Sequence, residues 1–190
     1  KSYIHSYFSK KNKNILIGIA RAGNVIGGGD WSNDRLIPDC VKSWSKRKKV
    51  KIRNPNSTRP WQHVLEAVSG YLIFAAKLKN NKNLHGEAFN FGPNPSSNYK
   101  VIALVKLMKK HWKNVSWKIS KRKNFYESSL LKLNSSKAKK FLMWKSILNF
   151  KENIKLVSEW YKDYYLGKKN IFEVSLNQIV KYESFLKKRL

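Results

Sequence analysis

An apolar run, Ile15-Leu-Ile-Gly-Ile-Ala20, passes directly into Arg21-Ala-Gly-Asn-Val-Ile-Gly-Gly-Gly-Asp-Trp31, and this stretch limits the fold more than any other. The run is too short to span a membrane and has the length of a buried strand. It is apolar at nearly every position, the pattern of a parallel strand covered on both faces. A glycine-rich turn follows, and an apolar-periodic helix opens near Arg35. In open parallel sheets ligands sit outside the carboxyl ends of the strands. The turn after Ala20 is therefore the predicted ligand site, in an α/β fold.

The rest of the chain supports that class. Ile4, Tyr7 and Phe8 fall at helical spacing, and Leu36, Ile37, Cys40, Val41 and Trp44 share one helical face. Val50 to Arg53 reads as a short strand closed by the turn cluster Asn54-Pro-Asn-Ser57. Trp61 to Lys79 reads as a long helix burying Val64, Val68, Leu72 and Ala75 or Ala76. Glu87 to Gly92 reads as a strand. Asn98 is the expected N-cap of a helix bearing Val101, Leu104, Val105, Met108 and Trp112. Val115, Trp117 and Ile119 alternate like a half-exposed strand. Ser135 or Ser136 is the expected cap of a short helix through Leu142. Asn149 with Glu152, and Ser175 with Gln178, resemble capping boxes, and Gly167 is a stop.

Composition sets outer limits. A hydrophobic content of 42% with 13% aromatics argues for a globular protein among the chain's 190 residues. The single cysteine, Cys40, excludes an internal disulfide and a multi-cysteine metal site and is compatible with a reducing cytoplasmic setting. No apolar segment approaches membrane length. The chain opens on Lys1, and the strand at Ile15 needs sheet neighbours that nothing before it supplies, so a longer parent is expected. A net charge of +29 raises nucleic-acid binding as an alternative function. The lysines, however, are spread over nearly every element, as codon bias at solvated positions would leave them, and no specific nucleic-acid partner is expected.

Arginine, scarce beside lysine, carries more information. Its planar guanidinium suits paired phosphate oxygens, whereas lysine is a hydrated point charge. Arg21, Arg35, Arg53 and Arg59 are the candidates, each against the bland reading of a surface or salt-bridge residue. Charge-assisted hydrogen bonds are worth roughly 1.5–3 kcal/mol, so two on a diphosphate would dominate affinity. Asn24 adds an amide for a phosphate or sugar hydroxyl. Gly27 to Gly29 is neither a P-loop nor a dinucleotide fingerprint, and reads as a turn that lets backbone approach a ligand. His63 opens a helix and on its own reads as structural; His5, His85 and His111 show no metal spacing. No triad, paired carboxylate or metal cluster is visible, so no catalytic residue is assigned within the chain.

Taken together, Ala20 to Trp31, Asp34-Arg-Leu-Ile-Pro-Asp39, Ile52-Arg-Asn-Pro, Thr58-Arg-Pro-Trp-Gln-His-Val-Leu-Glu66, Gly86 to Asn94 and Leu133 to Trp144 resemble the CDP-glucose 4,6-dehydratase family of extended short-chain dehydrogenase/reductases. The wider group includes nucleotide-sugar epimerases and other dehydratases, one of which is the near alternative. The resemblance implies the C-terminal part of an NAD-binding Rossmann domain plus a smaller α/β substrate-binding domain. The remnant of the first would comprise 1–30 and 60–95, and the second 31–59 and 96–190. It implies a cytoplasmic enzyme that is a homodimer at full length, uses NAD and takes CDP-glucose. Hydride would leave C4, water would be lost across C5 and C6, and hydride would return to C6, in a route to surface-polysaccharide deoxysugars. Arg21, Ala22 and Gly23 would lie by the nicotinamide. Asn24, Arg35, Leu36, Arg53, Arg59 and, more weakly, His63 would bind substrate.

The same resemblance implies that the NAD loop and the catalytic Tyr-x-x-x-Lys pair lie upstream, so the fragment alone would be inactive. The sequence departs from the family at four places: Tyr126 for histidine, Asn134 for aspartate, Met143 for glycine, and Ala67-Val68 for Pro-Leu.

Overall fold

A computed structural model describes residues 2–8, 15–94, 97–113, 115–120, 131–167 and 170–189. In order these form α1 (Ser2–Tyr7), β1 (Ile19–Ala22), β2 (Val25–Ile26), α2 (Leu36–Ser45), β3 (Val50–Ile52), β4 (Thr58–Arg59), β5 (Gln62–His63) and α3 (Val64–Asn80). A 3-10 turn (Lys82–Leu84) leads to β6 (Ala88–Phe91), β7 (Tyr99–Lys100), α4 (Val101–Met108), β8 (Trp117–Ile119), α5 (Ser136–Leu142), α6 (Phe150–Leu166) and α7 (Ile171–Arg189). Three strand pairs are parallel, β1 with β6, β2 with β5 and β3 with β8, while β4 and β7 run antiparallel. The class is mixed α/β, as the alternation of strand and helix patterns predicts.

The apolar run differs from its expected state. Only Ile19 onward joins the ladder, with Ile19 opposite Ala88 and Ala22 opposite Phe91. Ile15 is 49% and Ile19 38% exposed, so this strand is not covered on both faces. Among the described residues β6 is its only ladder partner, which leaves its other edge unpaired. His85 ties down the residues before it: its Nδ1 accepts from the Ile17 N–H at 3.1 Å, and Nε2 donates to the Phe8 carbonyl at 2.7 Å.

The long helix also turns its other side inward. It starts at Val64 because Gln62 and His63 pair with β2. Val68 and Leu72 are exposed, and the buried residues are Glu66, Ala67, Gly70 and Phe74. Two contacts decide the facing. A Cβ on Gly70 would stand 2.3 Å from the Phe91 ring, so only glycine lets α3 close on β6. Glu66, in turn, is a buried hub. Its Oε1 accepts from the N–H groups of Ile147 (2.9 Å) and Leu148 (2.6 Å) and from Ser146 Oγ (3.1 Å), and its Oε2 accepts from the Tyr182 hydroxyl (3.0 Å). Burial pushes its pKa up, and those four donors work against that rise.

Helix ends follow capping chemistry, with three corrections. The Asn149–Glu152 capping box is complete, and Gly167 ends α6 at φ +61°. α4 starts after Lys100 without a side-chain cap, because the Asn98 amide donates to Thr58 Oγ1 instead. Ser135 stands at the N-cap of α5, but its side chain makes no capping bond; the Asn134 Oδ1 accepts from Ser136 N–H at 2.8 Å instead, the bond an aspartate would also make. α7 begins at Ile171, where Asn170 accepts from Phe172 N–H; Ser175 and Gln178 lie inside it, joined to Trp160 and the Leu156 carbonyl. Met143 sits at the end of α5 at φ +56°, a left-handed position that accounts for the family's glycine there. Tyr126 lies outside the described residues.

Three apolar clusters result. The largest joins α2, β3, α4 and α6 through Cys40, Val41, Trp44, Ile52, Leu104, Met108, Ile154 and Val157. The second packs α3 and β6 against α5 through Phe74, Phe89, Phe91 and Trp144. The third seats α7 through Tyr182 against Ile147, Leu148 and Leu156.

Candidate functional site

A cavity of about 650 Å³ opens where β1, β2, β3 and β4 end and α2 begins. That volume falls within the usual range of small-molecule sites, roughly 300–1,000 Å³. Gly23, Asn24, Gly27 and Asp30 form the wall that follows β1 and β2. Arg35, Leu36 and Asp39 come from α2 and its N-cap, Lys51, Ile52 and Arg53 from β3 and its end, and Arg59 and Trp61 from β4 and the residues beyond it. The expected turn after the first strand is thus one side of a real recess, and the amino end of α2 adds helix-dipole character favourable to anions.

The arginines are held in two ways. Arg59 is 4% exposed and donates from Nη1 to the Thr58 carbonyl at 2.8 Å, so its guanidinium is set in place by burial. Arg35 and Arg53 stand at the surface, with side chains 63% and 47% exposed. Arg35 donates to Asp30 Oδ2 at 3.3 Å, and Arg53 to Asp34 Oδ1 at 2.9 Å. Exposed pairs of this kind are worth only about 0–1 kcal/mol, so either guanidinium can turn to a stronger anion at small cost. Asp30 is itself fixed: Oδ1 accepts from Ser32 N–H, and its carbonyl accepts from the Tyr161 hydroxyl at 2.7 Å. Burial would raise its pKa, but Ser32 and Arg35 outweigh that and hold it below the ordinary aspartate value.

Of the residues predicted from sequence, Gly23, Asn24, Arg35, Leu36, Arg53 and Arg59 line this one cavity. Arg21, Ala22 and His63 do not. Arg21 is an exposed residue of β1 opposite Asn90. His63 is 1% exposed and serves as the N-cap of α3, its Nδ1 accepting from Leu65 N–H at 3.3 Å. Burial drives its pKa down to about 4, so it is a neutral structural histidine.

The glycine triplet is explained mainly by packing. A Cβ on Gly28 would lie 2.0 Å from the Trp160 indole, and one on Gly27 2.7 Å from Val64. Only Gly27 of the three also faces the cavity. Lys51, Trp61 and the carboxylates Asp30, Asp34 and Asp39 were missed. Asp39 follows Arg35 by four residues, a spacing that places both on one side of a helix opening, and that signal was readable.

Solved nucleotide-sugar epimerases and dehydratases share the architecture. UDP-glucuronic acid 4-epimerase from Bacillus cereus, in complex with UDP-glucuronic acid and NAD, matches over 84% of this chain and 49% of its own, with TM-score 0.68 and 20% identity. The dTDP-glucose 4,6-dehydratase from Bacillus anthracis, in complex with NAD, matches over 85% and 48%, with TM-score 0.65 and 19% identity. At this identity the likeness is one of fold alone. In sequence the chain resembles one enzyme more closely. It is 39% identical over 170 residues to CDP-glucose 4,6-dehydratase of Salmonella typhimurium (strain LT2), which covers 87% of the chain and 47% of that enzyme. The chain therefore spans about half the length of the curated relative it matches. No protein-family profile matches the chain.

Proposed function

We propose that the chain is the nucleotide-sugar-binding half of an NAD-dependent CDP-glucose 4,6-dehydratase acting in the cytoplasm, as a homodimer at full length. The observation that carries this reading is the convergence of Arg35, Arg53 and Arg59 with Asn24 on one cavity beside the carboxyl end of a parallel strand. Arg59 is the fixed diphosphate clamp. Arg35 and Arg53 exchange their aspartates for ligand oxygens, and Asn24 and Leu36 position the sugar and nucleotide. The 39% identity to a CDP-glucose 4,6-dehydratase supports that substrate over other nucleotide sugars. Residues 1–30 and 60–95 are read as the Rossmann remnant, and 31–59 and 96–190 as the substrate domain.

The corner after β1 fits the nicotinamide end of a dinucleotide. Gly23 lies on the cavity wall, and a Cβ there would stand in ordinary contact with Pro60 and Leu133, at 3.4 and 3.5 Å. NAD, when bound, takes up and returns a hydride. The chain's own residues hold the substrate: the buried Arg59 fixes the phosphates, and the sugar is directed toward the end of β1.

The test is isotopic. The protein at the length its gene encodes, supplied with NAD and CDP-glucose deuterated at C4, should give CDP-4-keto-6-deoxyglucose carrying the deuterium at C6, seen by NMR. A C4 epimer with deuterium still at C4 would mean an epimerase, and no reaction with any nucleotide sugar would refute the enzyme reading. Arg59→Ala should weaken substrate binding far more than Arg21→Ala.

A further inference from the structure

Three carboxylates line a cavity otherwise suited to an anion, and two of them are held in ion pairs. Asp30 is bonded to Arg35 and Asp34 to Arg53. Among the described residues Asp39 forms no ion pair, although it lines the same recess. A carboxylate beside a diphosphate would repel it, so its place in such a site calls for a ligand group that donates hydrogen bonds and lies away from the phosphates.

We propose that Asp39 reads the base: its carboxylate accepts from the exocyclic amino group of cytosine and repels the 4-carbonyl of uracil or thymine. This rests on the nucleotide-sugar reading above. Asp39 lies in the first turn of α2, and β3 contributes Lys51, Ile52 and Arg53 to the same cavity. Val50, Ile52 and Val101 add apolar surface against which a flat ring can lie. Arg53, at the end of β3, carries the Asp34 pair, so this end of the cavity holds both charge and apolar wall. Partial burial, and then the neighbouring Asp34 charge, push the Asp39 carboxyl above its ordinary pKa, while Lys42, Arg53 and the Asp34 N–H that donates to it work the other way.

The chemistry gives a sharp discrimination. Cytosine presents an amino donor where uracil and thymine present a carbonyl acceptor. A site built to hydrogen-bond one such group rejects the analogue that lacks it, because a desolvated polar group is then left facing the wrong partner.

The test uses the protein at the length its gene encodes, with titration calorimetry of CDP, UDP and the diphosphate of a pyrimidinone riboside that has no substituent at C4. Wild type should bind CDP at least about tenfold more tightly than either of the others. Asp39→Asn should weaken CDP about tenfold and bring the CDP-to-UDP ratio close to one. Two results would overturn the assignment. One is equal binding of CDP and UDP by wild type. The other is an Asp39→Asn variant that weakens both alike, which would place Asp39 on the ribose or in the scaffold. Should the variant not fold, the wild-type comparison of CDP with the pyrimidinone compound decides alone. Absence of binding by every nucleoside diphosphate would sink the nucleotide-sugar reading itself, whereas tight but base-blind binding sinks only the role of Asp39.

Discussion

His63 makes the stability of this protein depend on pH in a way that can be worked out. In the unfolded chain its imidazole titrates near 6.5, while in the fold burial holds it near 4. The ring is 1% exposed, and its Nδ1 already accepts from the Leu65 N–H, so a proton on Nδ1 would remove the cap of α3 as well as bury a charge. The folded pKa is depressed. At pH 7 both states are neutral at this group, and its contribution is fully present. As pH falls below 6.5 the unfolded state takes up a proton that the native state refuses, so stability drops until about pH 4. Each pH unit over that window is worth about 1.36 kcal/mol, which makes the loss on the order of 3 kcal/mol. Urea unfolding at pH 7 and pH 4 measures it. His63→Asn keeps a side-chain acceptor for the Leu65 N–H and cannot titrate. It should be less stable at pH 7, because the ring volume is lost, yet it should lack this part of the acid sensitivity. An His63→Asn variant that loses as much stability as wild type between the two pH values would refute the reasoning.

Glu66→Ala should cost about 3–5 kcal/mol in urea unfolding, because two backbone N–H groups are left buried without their acceptor; Glu66→Gln, which retains an amide oxygen for them, should lose about 1–2 kcal/mol. Because the Glu66 carboxyl is raised in the fold, its ionisation opposes stability above the unfolded value of 4.5, and Glu66→Gln should remove that decline as pH rises. Gly28→Ala should lower stability by about 1–3 kcal/mol through its clash with Trp160, and Gly29→Ala, with room for a Cβ, should cost about 1 kcal/mol or more through its backbone at φ +80°. Native-state hydrogen exchange should find the amides of Ile154 and Val157 in α6 the best protected and those of β1 far weaker; equal protection would contradict the exposure of Ile15 and Ile19.

What could be read from sequence depended on whether one physical effect ruled locally. The face of α2 was legible because Ile37, Cys40, Val41 and Trp44 have a single apolar side to bury. The Asn149–Glu152 box was legible because its two bonds are local and reciprocal. Arg35, Arg53 and Arg59 stood out chemically against a lysine-rich background, and they share one cavity. α3 misled because it carries apolar residues on more than one side. Periodicity cannot choose between Val64-Val68-Leu72 and Ala67-Gly70-Phe74 when the choice is made by Phe91 and by a buried glutamate. The serine caps failed for a related reason: Ser135, Ser136 and Ser175 compete with asparagines that precede them, and the asparagine side chains took the N–H groups. His63 looked like a ligand residue only by its nearness to Arg59 along the chain; one strand pairing, Val25 with Gln62 and Ile26 with His63, turns it into the core.

The contrast between the arginines also bears on how such a site would bind. Fixing a free arginine side chain costs up to about 2 kcal/mol of rotamer entropy, and that cost sets how much of a phosphate contact survives as affinity. Arg59 has met it on folding, since its side chain is buried and bonded to the Thr58 carbonyl. Arg35 and Arg53 have met part of it through pairs to Asp30 and Asp34, which also keep their charges from drawing other anions into the cavity. In the proposed reading the ligand therefore finds one rigid anchor for its diphosphate and two partly ordered arms whose present partners give them up cheaply. Added salt screens the exposed arms first, so affinity should fall with ionic strength toward the contribution of Arg59 and the base contact, without vanishing.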